Sequence, residues 1–226
     1  MLYAENISRR FFRKTGGANF FFAVKDADFS LSPGVLTEIT GRSGSGKTTL
    51  LHILAGLLKP TTGNIILNGQ DLYAMNDEER ARFRNRKIGI APQKQTALRS
   101  LTVWENILLP YMLYQEEKAA DQTRAENLME RMGIASLRDA YPNELSGGEA
   151  RRLSIIRALI REPEILLADE PTGDLDNENT TAVLRLLREI ADSGTAVLLV
   201  THEKEAAAYA DCHFQMDAGV LTENKK

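Results

Sequence analysis

The chain has 226 residues, a net charge of −3 and a single cysteine, Cys212. That length fits one large domain, or one domain with a sizeable insertion, which can bury its core without cross-links. A lone cysteine excludes an internal disulfide framework and points to a reducing compartment. The slightly acidic balance gives no electrostatic reason to expect nucleic acid.

The opening stretch MLYAENISRRFF lacks the apolar run of a secretion signal. Runs such as AVLLV (196–200) are far too short to span a bilayer. A soluble, cytoplasmic protein is expected, with any membrane role coming through a partner. The N-terminal part reads as β-rich: FFFAVKDADFSL (20–31) is apolar and partly alternating, and SPG (32–34) turns the chain. VLTEIT (35–40) reads as a strand entering a glycine-rich loop, with a helix from Gly46 to Ala55. KPTTG (59–63) breaks that helix, and NIILNG (64–69) is a short strand closed by an Asn-Gly turn. ERARFRNRK (79–87) is locally basic and reads as a solvated helix face. From about 101 to 161 the apolar spacing is helical, with no convincing strand. EILLAD (164–169) and TAVLLV (195–200) then suit central strands buried on both faces. Between them, 177–194 predicts a helix closed by glycine, so the two strands should pair in parallel through a right-handed crossover.

Gly41 to Thr48 fits G-x-x-x-x-G-K-[ST] between a predicted strand and a predicted helix. Gly41, Gly44 and Gly46, with Arg42, Ser43 and Ser45 between them, let successive N–H groups turn inward toward phosphate oxygens. A helix N-terminus adds about half a positive charge there. Lys47 supplies a full charge near the β- and γ-phosphates, Thr48 a hydroxyl for Mg²⁺ and Thr49 one for a phosphate oxygen. ILLADE (165–170) sets Asp169 and Glu170 at the end of a buried strand, where ligands of open α/β sheets gather. Taken alone, that pair would be an acidic helix cap. In a chain with a phosphate loop, Asp169 suits Mg²⁺ and Glu170 suits the attacking water.

LSGGEARRLS (145–154) is a second glycine-rich helix start suited to an anion. LSGGE after a phosphate loop resembles the signature of the ATP-binding-cassette (ABC) ATPases. Other pieces fall in that family's order. Phe11 matches the adenine-stacking aromatic, with Phe12 and Phe22 as rivals; Gln93 matches the loop glutamine, with Gln95 as an alternative. Asp176 matches the aspartate after the carboxylate pair and His202 the histidine near the γ-phosphate. The resemblance spans nearly the whole chain.

It implies an α/β fold: a P-loop NTPase core with a mixed or parallel sheet, an N-terminal antiparallel β subdomain and an inserted helical subdomain. The chain would form one ABC ATPase domain, with 1–93 and 162–226 as core and β subdomain and about 94–161 as helical subdomain. The cofactors implied are ATP and Mg²⁺, the latter handled by Thr48, Gln93 and Asp169. Glu170 would activate water, with Lys47 and His202 on the phosphates. Two copies would stack head to tail, so that Ser146, Gly147, Gly148 and Glu149 of one close over the ATP of the other. An integral membrane transporter subunit is the second implied partner, which would put the chain on the inner face of the cell membrane.

LADEPTGDLD, LTVWENILLP and YPNELSGGE resemble the branch of lipoprotein release and macrolide export. Three departures stand out: Arg42 where many relatives have proline, Glu149 in place of the commoner glutamine, and Ala91-Pro92 before Gln93 in place of an aromatic. Rival readings are a soluble ABC ATPase of an assembly complex, a nucleotide-binding regulator that does not hydrolyse, and a GTP switch; the last lacks an Asn-Lys-x-Asp guanine reader. His52 reads as a packing residue, and the adjacent Cys212 and His213 lack the second ligand pair a metal site needs.

Overall fold

The structure, a computed structural model, describes residues 1–12, 20–94, 96–114, 119–173 and 175–224. Gln95 therefore lies outside the described residues. In chain order the elements are β1 (Leu2–Phe12), β2 (Phe20–Leu31), β3 (Leu36–Thr40), α1 (Lys47–Leu54), β4 (Thr62–Leu67) and β5 (Gln70–Asp71). There follow α2 (Asp77–Lys87), β6 (Ile88–Ala91), α3 (Val103–Met112), α4 (Ala119–Arg131) and α5 (Gly147–Leu159). The chain then runs through β7 (Ile165–Asp169), α6 (Asn177–Asp192), β8 (Ala196–Thr201), β9 (Cys212–Asp217) and β10 (Val220–Glu223). Among the described residues, no helix is long and apolar enough to cross a membrane.

Two sheets result. The first is antiparallel, in the order β2-β1-β4-β5; the second runs β10-β9-β3-β8-β7-β6, parallel except for β10 on β9. The expected parallel pairing of β7 and β8 holds, from Ile165 opposite Ala196 to Asp169 opposite Val200. These strands are buried along their whole length, and their residues alternate between two cores. Ile165, Leu167, Leu198 and Val200 join Ile39 and the apolar side of α1, in the core shared with the antiparallel sheet. Leu166, Ala168, Val197 and Leu199 face the other way, toward α3, α4, α5 and α6. An all-apolar strand is what period-two geometry demands when both faces are covered.

The helices follow their local signals. In α6 the buried Val183, Leu184, Leu187, Ile190 and Ala191 make one stripe, and Gly194 beyond its end takes the left-handed φ of 105° that favours glycine. In α2 no residue is buried; its acidic first turn, basic last turn and Asn76–Glu79 capping box hold a solvated helix. Thr102 and Glu105 cap α3 in the same way. One turn in, the fully buried Asn106 accepts from the Leu98 N–H at 2.8 Å. Its amide donates to the carbonyls of Leu98, Leu101 and Thr102. One side chain thereby fixes the connection from β6 into α3.

Asn106→Ala strands the Leu98 N–H and removes a donor from three carbonyls. It should cost roughly 1–3 kcal/mol, lowering the thermal midpoint by about 3–10 °C. An unchanged midpoint in a thermal scan would show that the loop is held by other means.

Candidate functional site

Four strand ends of the parallel sheet lead to one region: β3 into the loop 41–46, β6 toward Gln93, β7 into Glu170 and β8 into His202. Because β8 lies between β3 and β7, His202 emerges between the loop and the carboxylates. A cleft of about 590 Å³ lies there, lined among others by Lys47, Thr48, Thr49, Gln93, Glu170 and His202. Arg42, Ser43, Gly44 and Gly46 also border it, as do Phe11 and Phe21 from the β1–β2 hairpin.

The loop is possible only with glycine at two points. A Cβ on Gly46 would sit 1.9 Å from the Ala23 carbonyl oxygen, and one on Gly41 would sit 2.3 Å from that of Met216. Gly46 is also the N-cap of α1, with a left-handed φ of 113° and no side-chain cap. The first-turn N–H groups of α1 therefore have no acceptor within the helix and border the cleft, an arrangement that suits phosphate oxygens. Ser45 is buried behind the loop, and its hydroxyl has no hydrogen-bond partner.

Lys47 is buried, and its Nζ donates to the carbonyls of Gly41 at 2.7 Å and Arg42 at 3.2 Å. The same Nζ lies 4.0 Å from Glu170 Oε1. His202 Nδ1 is 2.8 Å from the other oxygen of that carboxylate, Oε2. Glu170 takes a left-handed φ of 47°, rare for a residue with a Cβ and worth roughly 1–3 kcal/mol of strain. Its N–H donates to the Val200 carbonyl and its own carbonyl accepts from Gly173, which keeps the strained residue in register with β8.

Asp169 is 3% exposed, and its Oδ1 has no hydrogen-bond partner. Burial pushes its carboxyl above the ordinary value, the Thr48 hydroxyl pulls it down, and Glu170 pushes it up again. A buried carboxylate with an unmet oxygen beside a hydroxyl is a hard-oxygen set. It fits Mg²⁺, which binds through one or two carboxylates and keeps waters and phosphate oxygens as its other ligands. Among the described residues, no group of three or more His, Cys, Asp or Glu could hold a metal without such help.

The second glycine-rich stretch stands apart. Ser146 caps α5, and its hydroxyl donates to Glu149 Oε2 at 2.7 Å. This bond, with that from the Ser146 N–H, holds the Glu149 carboxyl below its ordinary value. Gly147 lines another cleft with Arg151, Gly173 and Leu175, and Gln93 borders both clefts. Asp176 caps α6 by accepting from the Asn179 N–H at 2.8 Å, and that bond holds its carboxyl below the ordinary value. Asn179 in turn accepts from Arg152 of α5 at 3.1 Å, while its amide donates to both oxygens of Asp176.

Of the three phenylalanines weighed for adenine, Phe11 borders the cleft. Phe12 stands across from Phe20 on the opposite side of the hairpin, and Phe22 contacts that same Phe20. Sequence reasoning missed Phe21, whose ring lies 5.9 Å from that of Phe11, centroid to centroid, at 30°. It also missed Arg152 and Asn179. The alternation of β2 carried a signal for Phe21, but which residue lies opposite Phe11 depends on hairpin register, and register needs the turn.

The sequence model of the ABC transporter family matches residues 24–173. The chain belongs to that family. It is 38% identical to the ABC transporter ATP-binding protein YtrE of Bacillus subtilis, over 98% of this chain and 96% of that one. It is 41% identical to the lipoprotein-releasing system ATP-binding protein LolD of Shewanella oneidensis, over 88% of this chain and 86% of that one. Macrolide export ATP-binding/permease protein MacB of a Shewanella species is 36% identical over 90% of this chain, which spans only 31% of MacB. The dimeric ATP-binding cassette MJ0796, in a post-hydrolysis state bound to ADP and Pi, matches with a TM-score of 0.90 at 29% identity, covering 100% of this chain and 98% of that one. The expected α/β cassette fold and the resemblance to the lipoprotein-release and macrolide-export branch are both borne out. This ABC protein is an ATP-binding ATPase.

A carboxyl raised in the folded state is one whose ionisation opposes folding above the unfolded value of about 3.9. Asp169→Asn keeps the shape and removes the charge, so at neutral pH the nucleotide-free protein should melt roughly 2–6 °C higher. The gain should shrink as pH falls toward about 4. A lower midpoint at neutral pH would mean that the carboxylate is favourably compensated where it lies.

Proposed function

We propose that this ABC ATPase energises a membrane transporter or extractor by closing on ATP as a dimer and opening on hydrolysis. The observation that carries the reading is one cleft that unites the glycine loop, Lys47, the Glu170–His202 pair and the aromatic Phe11. The dimeric state of MJ0796 with ADP and Pi, and the release and export systems named for LolD and MacB, support it. Export of a peptide, drug, lipid or lipoprotein is the matching cargo class. An integral membrane subunit is the proposed partner, which brings the chain to the inner face of the membrane. The division into residues 1–93 with 162–226, and about 94–161, separates the half that holds the phosphates from the half that carries the signature.

In this reading Phe11 stacks on adenine. The amides of residues 41–49 and Lys47 hold the phosphates, and the ammonium exchanges two loop carbonyls for phosphate oxygens. Thr48, Gln93 and Asp169 would hold Mg²⁺, which would supply positive charge to offset that of the phosphates. Water attacks the γ-phosphorus, the bond to the bridging oxygen breaks, and ADP leaves with that electron pair. Glu170 accepts the water's proton. His202, 2.8 Å from Oε2, orients the carboxylate and steadies the γ-phosphate. Ser146, Gly147 and Gly148 act from the second copy through the N-terminus of α5, with Glu149 bracing Ser146. Hydrolysis removes the shared γ-phosphate, and with it the bridge between copies.

Glu170→Gln should retain ATP, sediment as a dimer with it and lose at least about 10²-fold in turnover. A variant that stays monomeric in saturating ATP would sink the sandwich, and unchanged turnover would assign the base elsewhere. Lys47→Ala should weaken binding of a fluorescent ATP analogue by at least about tenfold at equilibrium, since a charge-assisted contact contributes roughly 1.5–3 kcal/mol. Binding as tight as the parent's would contradict its role.

A further inference from the structure

The β1–β2 hairpin has two faces at its tip, and only one borders the nucleotide cleft. Register pairs Arg10 with Phe22, Phe11 with Phe21, and Phe12 with Phe20. Alternation therefore turns Phe11 and Phe21 to one side and Arg10, Phe12, Phe20 and Phe22 to the other. On that second side the rings touch each other: Phe12 and Phe20 are 6.5 Å apart and Phe20 and Phe22 5.5 Å, both edge to face. The Arg10 guanidinium lies 5.8 Å from the ring centroids of both Phe12 and Phe20. Yet Phe12 is 70% exposed, Phe20 49% and Phe22 37%.

Three neighbouring rings left in water, with a cation seated among them, are not accounted for by the core or by ATP. Their charge context narrows the partner. Between Glu5 and Asp26 the sequence holds no carboxylate, and Arg10 places a cation on this face, in a chain whose net charge is −3. The tip thus opposes the sign of the whole. An apolar groove on another protein would match the rings without asking for this charge. A surface that takes aromatic rings at its polar boundary and attracts cations is the headgroup region of an anionic bilayer.

We propose that the outer face of the β1–β2 hairpin docks on anionic lipid, with Phe12, Phe20 and Phe22 entering the headgroup boundary and Arg10 meeting phosphate. So small a surface binds weakly alone. It adds to the hold of a membrane subunit in the way a second anchoring signal does. The proposal does not rest on the nucleotide reading, because these rings lie off the cleft and vesicle binding can be measured without ATP.

The test is co-sedimentation of the full chain at low salt with vesicles of equal parts phosphatidylglycerol and phosphatidylcholine, against phosphatidylcholine alone. The parent should bind the mixed vesicles and not the neutral ones. Arg10→Glu, a reversal of one charge, should weaken that partition roughly tenfold or more. Phe20→Ser should weaken it several-fold, and both variants should keep the parent's melting temperature and basal ATP turnover. The proposal is overturned if the parent fails to bind, if it binds both vesicle types equally, or if both variants bind as tightly as the parent. Variants that bind vesicles normally but uncouple transport in the presence of a membrane subunit would make the face a protein contact, which also overturns it.

Discussion

The cleft at the ends of the parallel strands depends on how closely the loop 41–46 lies against its neighbours. Gly46 meets the Ala23 carbonyl with no room for a methyl group, and Gly41 meets the Met216 carbonyl in the same way. Two backbone bonds complete the clamp: Gly219 N–H donates to the Ser45 carbonyl, and Lys25 N–H donates to the Gly219 carbonyl. The loop is thus tied to the β9–β10 turn, and that turn to β2. Since β2 also carries Phe21 beside Phe11, the same contacts set the distance between this aromatic pair and the glycine-rich loop. Two sheets that share one core are joined at this cleft, where the proposed function places base and phosphates.

Within that frame the charged groups are held close to one another and only partly compensated. Lys47 rests on loop carbonyls, 4.0 Å from Glu170, while His202 engages the far oxygen of the same carboxylate. Asp169 is buried with one oxygen unmet. A buried polar group without a partner costs free energy, and so does a left-handed glutamate. Both costs sit at the C-terminal end of β7, whose interior is wholly apolar and matched on both faces. The strand's packing offsets what its end spends, which is the usual distribution between scaffold and functional site.

Much of the fold was legible because its signals are local. The strands around 165–169 and 196–201 read as buried from composition alone, and the glycine loop was bounded by its flanks. The site's long-range pairings were less accessible. Phe21 becomes a wall of the cleft only through a register that the sequence does not declare, and Phe12 and Phe22 leave the cleft for the same reason. The short strand β6 was missed because four residues followed at once by Pro92 carry too little periodicity to separate from a loop. Asn179 gave no signal at all. It is an ordinary first-turn helix residue until α5 is brought against it.

That contact bears on the proposed dimer. Asn179 joins Asp176, the aspartate of the loop after the carboxylate pair, to Arg152, one turn into the signature helix. Gly148 is packed on the same amide, since a Cβ there would lie 3.2 Å from Asn179 Oδ1. The first turns of α5 and α6 are therefore seated on one side chain. In the proposed dimer, α5 grips the other copy's ATP, while the loop leading to α6 begins beside this copy's own Glu170. Hydrogen bonds and a close contact therefore join the start of α6 to the start of α5. The close approach leaves little room for a side chain at 148, although the backbone there is ordinary helix.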